Sequence, residues 1–211
     1  MSKHYQDFEF DGVHVEGVSY CLWRWGEYKL PTDLSGLTVL DIGSWDGFFA
    51  MESKRLGAKE VTAIDLDAWL KPGIYQEFQD NLKRFHFDVK HEVKDVCSLD
   101  ASFGQFDLVL FLQVLYHMTN PVGAIQAAAS VCKKWLWIET VILGEDSEEK
   151  SFWMIPRDGM APVFHPSRKA VEYLIQWVGF DAELVTEWID PGRDELPGVK
   201  VRRMAWKCTR R

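Results

Sequence analysis

The sequence predicts an α/β fold, a doubly wound sheet of seven strands that ends in an antiparallel hairpin. Short apolar runs alternate with amphipathic stretches from about residue 38 onward, as in a parallel sheet with crossover helices. The run Phe106–Leu112 is apolar except for Asp107, which is typical of a strand buried on both faces. With 211 residues, 47% hydrophobic and 14% aromatic, the chain is long and apolar enough to form one domain with a substantial core.

The elements follow in chain order, and the first five strands are expected to be parallel. These strands are predicted at Thr38–Ile42, Glu60–Ile64, Val89–Val93, Phe106–Leu112 and Trp135–Leu143. Helices are predicted at Phe48–Leu56, Gly73–Phe85, Val122–Cys132 and Arg168–Val178. Gly57 is a helix stop signal, and Asn120-Pro121 and Ser167 are helix start signals. Two further strands, Ala182–Ile189 and Val199–Thr209, flank the turn-rich segment Pro191–Gly198 and predict the terminal hairpin.

Two segments lie outside this alternation. Residues 1–36 are predicted to pack on the core as a lid or extension, which leaves residues 37–211 as the main domain. Gly144–Pro166 shows no clear periodicity and is predicted to be a long surface loop near the functional site. It contains the acidic run Glu145–Glu149, which is expected to be solvated, with recognition of a cationic acceptor as the alternative.

The composition argues against several classes of protein. The chain has 24 basic and 32 acidic residues, and its net charge of -8 gives no general attraction for nucleic acids. The longest apolar run, Leu108–Leu112, is far shorter than the roughly 20 residues of a membrane-spanning helix. The first residues contain no apolar signal segment. We therefore expect a cytoplasmic protein that acts on a small molecule, without a membrane or nucleic-acid partner.

Neither a disulfide framework nor a metal site is predicted. His86 and His91 lie five residues apart across a helix-to-strand junction, where one cation could hardly reach both. The four cysteines are widely spaced and are predicted to be reduced packing residues: Cys21, Cys97, Cys132 and Cys208.

Glycines and acidic residues follow the first core strand, in the segment Asp41–Gly47 (DIGSWDG), which leads directly into a helix. In a doubly wound sheet this loop lies at the carboxyl edge of the strands, where ligands bind. Gly43 and Gly47 would let the backbone approach a ligand closely. Trp45 and Asp46 fill the loop with bulk and negative charge, so a cationic or zwitterionic ligand suits it better than a pyrophosphate.

Two more acidic residues follow the next two strands. Asp65, with Leu66 after it, comes 22 residues after Gly43, where a carboxylate can accept hydrogen bonds from both hydroxyls of a ribose. Asp95, followed by Val96, could accept a hydrogen bond from the exocyclic amine of an adenine. Each aspartate alone is more commonly a helix cap or a turn residue. On successive strand ends, together, they predict nucleoside binding.

With these residues in this order, the chain resembles the class I S-adenosylmethionine-dependent methyltransferases, whose sheet is Rossmann-like, over roughly residues 36–209. The resemblance implies S-adenosyl-L-methionine (SAM) as the cofactor, with motif I at Asp41–Gly47, the ribose acid at Asp65 and an adenine contact at Asp95. It implies that Trp45 walls the cofactor loop. The implied cofactor site in this part of the chain consists of Asp41, Gly43, Trp45, Gly47, Asp65, Leu66, Asp95 and Val96.

Three further segments resemble the family of the tRNA wobble-uridine methyltransferase and carboxymethyltransferase, and its shorter relatives: Phe106–Asn120, Ile138–Asp146 and Pro166–Phe180. In that family, the residues after the fourth core strand line the methionine side of the cofactor and the acceptor pocket. The resemblance therefore implies Gln113 as a cofactor residue, with Tyr116 and His117 at the acceptor. The tRNA enzyme also has an additional N-terminal domain and a carboxylated cofactor, which is held by basic residues and by the tyrosine at the Tyr116 position. Because this sequence shows no such domain and assigns no basic residue to a carboxylated cofactor, ordinary methyl transfer is expected.

Histidines near this pocket are candidates for the catalytic base. Methyl transfer from a sulfonium requires alignment of donor and acceptor and, for an oxygen acceptor, removal of a proton. His117, beside Tyr116, is the predicted base because an imidazole titrates near neutral pH. The alternative is that His117 only orients the loop before Pro121. His165 is a second candidate base, or an ordinary loop histidine.

The predicted function is SAM-dependent O-methylation of a small sugar-like or secondary-metabolite acceptor. The alternatives are tRNA wobble-uridine methyl or carboxymethyl transfer and a non-catalytic SAM-binding protein. Six aromatic residues are expected either to form a lid and acceptor pocket or to pack the N-terminal segment onto the core: Trp23, Trp25, Tyr28, Phe152, Trp153 and Phe164.

Overall fold

The structure is a computed structural model that describes residues 4–143, 149–189 and 201–211. Its strands are β1 His4–Phe10, β2 Val13–Val15, β3 Gly17–Tyr20, β4 Thr38–Ile42, β5 Glu60–Asp65, β6 Lys90–Val93, β7 Phe106–Leu112, β8 Cys132–Ile142, β9 Phe152–Arg157, β10 Met160–Pro166, β11 Phe180–Ile189 and β12 Arg202–Arg210. Its helices are α1 Leu22–Glu27, α2 Phe48–Arg55, α3 Ile74–Arg84, α4 Pro121–Ser130 and α5 Arg168–Trp177, with 3-10 turns at Val96–Ser98 and Leu115–His117.

Seven of these strands form one sheet in the order β11-β12-β8-β7-β4-β5-β6. Strands β4, β5 and β6 are parallel neighbours. Strand β12 is antiparallel to both β8 and β11, so the chain ends in an antiparallel pair. The predicted seven-stranded α/β sheet with a terminal hairpin is confirmed.

Local sequence explains where the helices of this fold begin. Pro121 is the first residue of α4, and the Asn120 side chain accepts a hydrogen bond from the Gly123 N–H at 3.0 Å. The Ser167 hydroxyl accepts from the Ala170 N–H at 3.2 Å and begins α5. Such side-chain caps satisfy amides that have no partner within the helix. Both predicted helix starts are therefore confirmed.

The prediction of a surface loop at Gly144–Pro166 is wrong for most of this segment. Residues 152–166 form the antiparallel hairpin of β9 and β10. Ile155 on β9 and Val163 on β10 are buried in one hydrophobic cluster with Val141 and Leu143. Burial of these apolar side chains stabilises the packing of the hairpin. The acidic residues at positions 145–148 and the turn segment at 191–198 lie outside the described residues.

The chain divides into two compact units, and the first contains the residues up to Val96 together with Phe106–Leu108. Here β1 pairs with β2 and with β3, so the N-terminal residues form a small sheet. The rings of Phe8, Phe10 and Phe48 have centroids 5.5–6.1 Å apart. Strand β1 is thereby packed against the start of α2.

The aromatic residues of α1 belong to the interior of this first unit. Trp25 and Tyr28 are buried, and their rings stack on Phe49 at 6.1 and 6.3 Å. Trp23, in contrast, is 46% exposed. Trp25 and Tyr28 therefore follow the alternative in which these aromatic side chains pack the N-terminal segment onto its core.

The second unit contains Cys97–Gln105 and the described residues from Val109 onward, including α4, α5, the hairpin β9–β10 and the antiparallel end of the sheet. Within the part of the chain that the structure describes, none of the helices is long and apolar enough to cross a membrane. No group of three His, Cys, Asp or Glu side chains in that part could hold a metal ion. None of the four cysteines, all of which the structure describes, forms a disulfide. Three are buried; Cys97 is exposed, so it is not the packing residue that was predicted.

Candidate functional site

The loop after β4 turns sharply because three of its residues have left-handed backbone conformations. Gly43, Trp45 and Gly47 have φ values of 77°, 51° and 99°. The Gly43 N–H donates to the Ile64 carbonyl of β5 at 2.8 Å, so the start of the loop is tied to the neighbouring strand. Gly47 begins α2, and a Cβ added there would lie 2.9 Å from the Phe78 ring. Position 47 therefore needs glycine for both its backbone conformation and its space.

Asp65, the last residue of β5, holds this loop in place. Its Oδ2 accepts a hydrogen bond from the Trp45 N–H at 3.1 Å, and its Oδ1 accepts from the Ala68 N–H at 3.0 Å. The Trp45 carbonyl accepts from the Trp69 indole at 2.6 Å. Both polar groups of the Trp45 backbone are thus satisfied in a conformation that is unfavourable for a non-glycine residue. A carboxylate can accept about four hydrogen bonds, so Asp65 retains acceptor capacity for a ligand.

Asp41 lies near the end of β4, and its carboxyl group is almost completely buried. Burial raises the pKa of Asp41 to about 7; the Ser44 hydroxyl lowers this pKa, and the Asp65 carboxylate raises it. Burial also raises the pKa of Asp65, against its hydrogen bonds from backbone amides. Two buried carboxyl groups that repel each other favour a positively charged ligand, because a nearby cation stabilises their ionised forms.

Asp46 was predicted to fill the loop with negative charge, but its side chain is fully buried. Its Oδ2 accepts hydrogen bonds from the N–H groups of Tyr5 and Gln6 on β1, both at 2.9 Å. Gln6 Oε1 accepts from the Phe48 N–H at the start of α2, at 2.8 Å. The Tyr5 ring lies 4.4 Å from the Trp45 ring. Strand β1 is therefore attached to the loop at three points.

The other predicted cofactor residues of the first unit lie just beyond β5 and β6. Leu66 is half-buried after β5. Asp95 is exposed, and Val96 is buried at the start of a 3-10 turn. The Lys94 N–H donates to the Asp65 carbonyl at 3.0 Å, which ties the end of β6 to the end of β5. Asp65 is therefore the residue on which both neighbouring strand ends converge.

In the second unit, the chain leaves β7 through Gln113, which has a positive φ of 63°. Its N–H donates to the carbonyl of Glu139 on β8 at 3.2 Å. The 3-10 turn that follows contains Tyr116, which is buried, and His117, which is exposed. Their rings are 4.1 Å apart. A bond to β8 thus fixes the turn that carries the predicted acceptor residues.

A buried ion pair lies next to Tyr116. Arg203 on β12 donates to Glu139 Oε1 at 2.8 Å and to the Tyr116 hydroxyl at 3.1 Å. Glu139 is fully buried and Arg203 nearly so. The register places Arg203 opposite Val141 and Glu139 opposite Ala205, so the pair is diagonal on one face of the sheet. The negative charge of Glu139 therefore compensates the positive charge of Arg203.

Sequence reasoning missed both members of this pair. Glu139 stands in the middle of an apolar strand, and a carboxylate buried in that way needs a cationic partner. That signal was available. The identity of the partner was not, because Arg203 lies 64 residues away and only the strand register brings the two together.

A cavity of about 420 Å³ lies between the 3-10 turn and the β9–β10 hairpin. Its lining residues are Tyr116, His117, Ile155, Pro156, Arg157, Val163 and His165. The His165 ring is buried and meets the Tyr116 ring edge-on at 6.2 Å. The second unit thus brings the three predicted catalytic residues to one cavity, and the first unit gathers Asp41, the glycine loop and Asp65.

A family model described as a methyltransferase domain matches residues 18–184. The chain belongs to this methyltransferase family. The resemblance inferred from the loop after β4 and from the strand-end acids is confirmed at the level of the family.

Curated proteins similar to this methyltransferase include a "tRNA U34 carboxymethyltransferase" of Pseudomonas syringae pv. syringae, 27% identical over 204 residues. That alignment covers 86% of this chain and 61% of the relative. A protein of the same name from Pseudomonas aeruginosa is 28% identical over 188 residues, covering 84% and 56%. The chain thus spans somewhat more than half the length of these relatives.

Among solved structures, the methyltransferase resembles the N-terminal domain of EvdMO1, crystallised with SAH and D-fucose. The TM-score is 0.73 at 18% identity, over 100% of this chain and 92% of that one. It also resembles the magnesium protoporphyrin IX methyltransferase of Synechocystis PCC 6803 with bound SAM, at a TM-score of 0.60 and 17% identity, over 88% and 76%. At these identities the likeness shows the shared fold.

Proposed function

We propose that this methyltransferase is a cytoplasmic enzyme that uses SAM to methylate a hydroxyl group of a small acceptor, such as a sugar-like compound or a secondary metabolite. The observation that carries the proposal is the loop after β4, where three left-handed residues are held by the strand-end carboxylate of Asp65. Side chains in two regions then have separate tasks, in cofactor binding and at the acceptor.

The residues of the loop suit the charge and the hydrogen-bonding groups of SAM. When bound, the cofactor supplies an electrophilic methyl group on a positively charged sulfur. The unused acceptor capacity of Asp65 suits the ribose hydroxyls. Asp41 is buried, and its pKa is raised to about 7. The positive charge of a bound ligand would stabilise the ionised form of this carboxylate. Gly43 and Gly47 leave the backbone open to close approach.

On the acceptor side, the cavity between the 3-10 turn and the β9–β10 hairpin supplies the chemistry. His117 is exposed at this cavity, so an acceptor hydroxyl there can lose its proton to the imidazole as it attacks. A positioned base contributes about 10² to 10⁴-fold to the rate. Alignment contributes more, up to about 7–11 kcal/mol. The buried His165 and Tyr116 form a rigid wall against which an acceptor can be oriented.

Transfer of a labelled methyl group from SAM to a panel of sugars and phenols tests this assignment. The informative variant is His117→Asn, and the matched control is His86→Asn, an exposed histidine in the first unit whose left-handed backbone asparagine tolerates. We expect turnover to fall about 10² to 10⁴-fold in His117→Asn only, with unchanged SAH affinity. Normal turnover in His117→Asn would remove it as the base. SAH binding without turnover on any acceptor would favour a non-catalytic SAM-binding protein.

Carboxymethyl transfer to tRNA is the second candidate, and one contact favours it. Arg203 donates to the Tyr116 hydroxyl, which places a guanidinium beside the tyrosine that the family resemblance assigns to a carboxylated cofactor. The fully buried Glu139 opposes this candidate, because it already compensates the charge of Arg203. Calorimetry with SAM and with its carboxylated analogue separates the two donors. Binding of bulk tRNA across a salt series tests the nucleic acid, since contacts with phosphates weaken steeply with salt.

A further inference from the structure

Arg157 stands out among the cavity residues because its side chain is fixed yet still has donors to offer. Its Nε and Nη2 both donate to the Ala161 carbonyl across the hairpin, at 3.1 and 3.0 Å. This holds one edge of the guanidinium and leaves the edge formed by Nη1 and Nη2. That edge is the planar fork that binds a carboxylate or phosphate through two parallel hydrogen bonds. Among the described residues, no carboxylate forms an ion pair with Arg157.

The rest of the cavity lining adds no negative charge that would oppose Arg157. None of its described lining residues is acidic, and two are the histidines His117 and His165. Ile155, Pro156 and Val163 add apolar surface to the lining, and a charged hydrogen bond is stronger beside apolar surface than in water. The chain as a whole carries a net charge of -8, whereas Arg157 gives this cavity a positive charge. A small cleft of opposite sign concentrates ligands of complementary charge.

We propose that the acceptor is an acidic small molecule, whose carboxylate or phosphate group binds the Nη1–Nη2 edge of Arg157 in the cavity. This rests on the proposed function and narrows it, because it adds an anionic group to the hydroxyl that receives the methyl group. Arg157 is a specificity residue in this assignment, and it takes no part in proton transfer. The apolar walls of Ile155 and Val163 hold the body of the acceptor between the anionic group and the reacting hydroxyl.

The test compares two probes of equal shape, 3-hydroxybenzoate and its neutral amide, 3-hydroxybenzamide. Each is titrated into the SAH-saturated protein while the ring signals of His117 and His165 are followed by NMR. We expect the wild type to bind the benzoate about 10- to 100-fold more tightly than the amide, as for a charge-assisted hydrogen bond. Phenyl phosphate is a third probe, and the tighter of the two anions identifies the preferred anionic group.

The deciding variant is Arg157→Gln, which removes the charge but can keep one hydrogen bond to Ala161. Arg84→Gln is the matched control, because it removes one positive charge from an exposed site in the first unit. The preference for the benzoate should vanish in Arg157→Gln and persist in Arg84→Gln. If Arg157→Gln does not fold, Arg157→Lys keeps the charge without the fork and should retain only part of the preference.

Several results would overturn the assignment. These are equal binding of the two probes by the wild type, binding of neither, and an undiminished preference in Arg157→Gln. Tighter binding of an oligouridylate, with the same dependence on Arg157, would replace the small acidic acceptor by RNA. SAH calorimetry on the wild type separates this proposal from the proposed function. Absence of SAH binding would contradict the proposed use of SAM, whereas SAH binding without a preference for the anionic probe would contradict only the acidic acceptor.

Discussion

The buried pair of Arg203 and Glu139 gives a prediction whose size follows from the structure. Arg203→Leu leaves the carboxylate of Glu139 fully buried without its cation. Removing one member of a buried ion pair costs about 3–5 kcal/mol, because the remaining charge has lost both water and partner. For a chain of 211 residues, each kcal/mol lowers Tm by about 2–4 °C, so Tm should fall by roughly 6–20 °C.

The double variant separates the pair from simple packing. Replacing both residues by leucine removes both charges, and such replacements are often neutral or stabilising. The double variant should therefore be more stable than either Arg203→Leu or Glu139→Leu. Tyr116→Phe, which removes only the hydroxyl that accepts from Arg203, should cost about 1 kcal/mol.

Urea denaturation of the wild type, both single variants and the double variant completes a thermodynamic cycle. We expect a coupling free energy of about 3 kcal/mol or more between the two sites. Additive effects of the two single substitutions would refute the reasoning, since they would mean that the pair contributes no interaction of its own.

Two further predictions concern the loop after β4. Gly47→Ala should destabilise the fold by about 1–3 kcal/mol and weaken cofactor binding, because its φ is 99° and its Cβ would lie 2.9 Å from the Phe78 ring; an unchanged Tm would contradict this. Asp46→Asn should flatten the pH dependence of stability. Burial raises the pKa of Asp46 from 3.8 to about 7, so the folded state holds the proton more tightly and loses stability as pH rises from about 3.8 to about 7. Urea melts at pH 5 and pH 8 should show about 2–3 kcal/mol less loss in the variant than in the wild type.

The sheet could be predicted from the sequence because its strands have recognisable local sequence patterns. Thr38–Ile42 and Phe106–Leu112 are largely apolar runs between glycines or polar turns, and the structure has strands with the same bounds. The β9–β10 hairpin could not be predicted in this way. Its strands contain three prolines, Pro156, Pro162 and Pro166. Proline has no N–H to donate to a neighbouring strand, so it argues against a strand in the sequence. The hairpin exists because its apolar side chains pack against residues distant in sequence.

The candidate site was predictable where an acidic residue stands at the end of a predicted strand. Asp65 follows a strand, and the structure shows it bonded to the loop that the sequence singled out. Contacts between distant segments were not predictable, because they depend on packing and register. The Asp46 carboxylate faces strand β1 rather than the loop surface, and the Arg203 partner of Glu139 becomes evident only from strand pairing.

Calorimetric titration with SAM and SAH tests the central claim, a nucleoside sulfonium held by the loop after β4, most directly. The wild type should bind both. Asp65→Ala removes the partner of the Trp45 N–H and, in the proposed binding mode, the acceptors for two ribose hydroxyls, so affinity should fall about a hundredfold or more. Asp88→Ala, at an exposed aspartate of the same unit, should bind as the wild type does. Absence of binding in the wild type, or equal affinity in Asp65→Ala, would contradict the account.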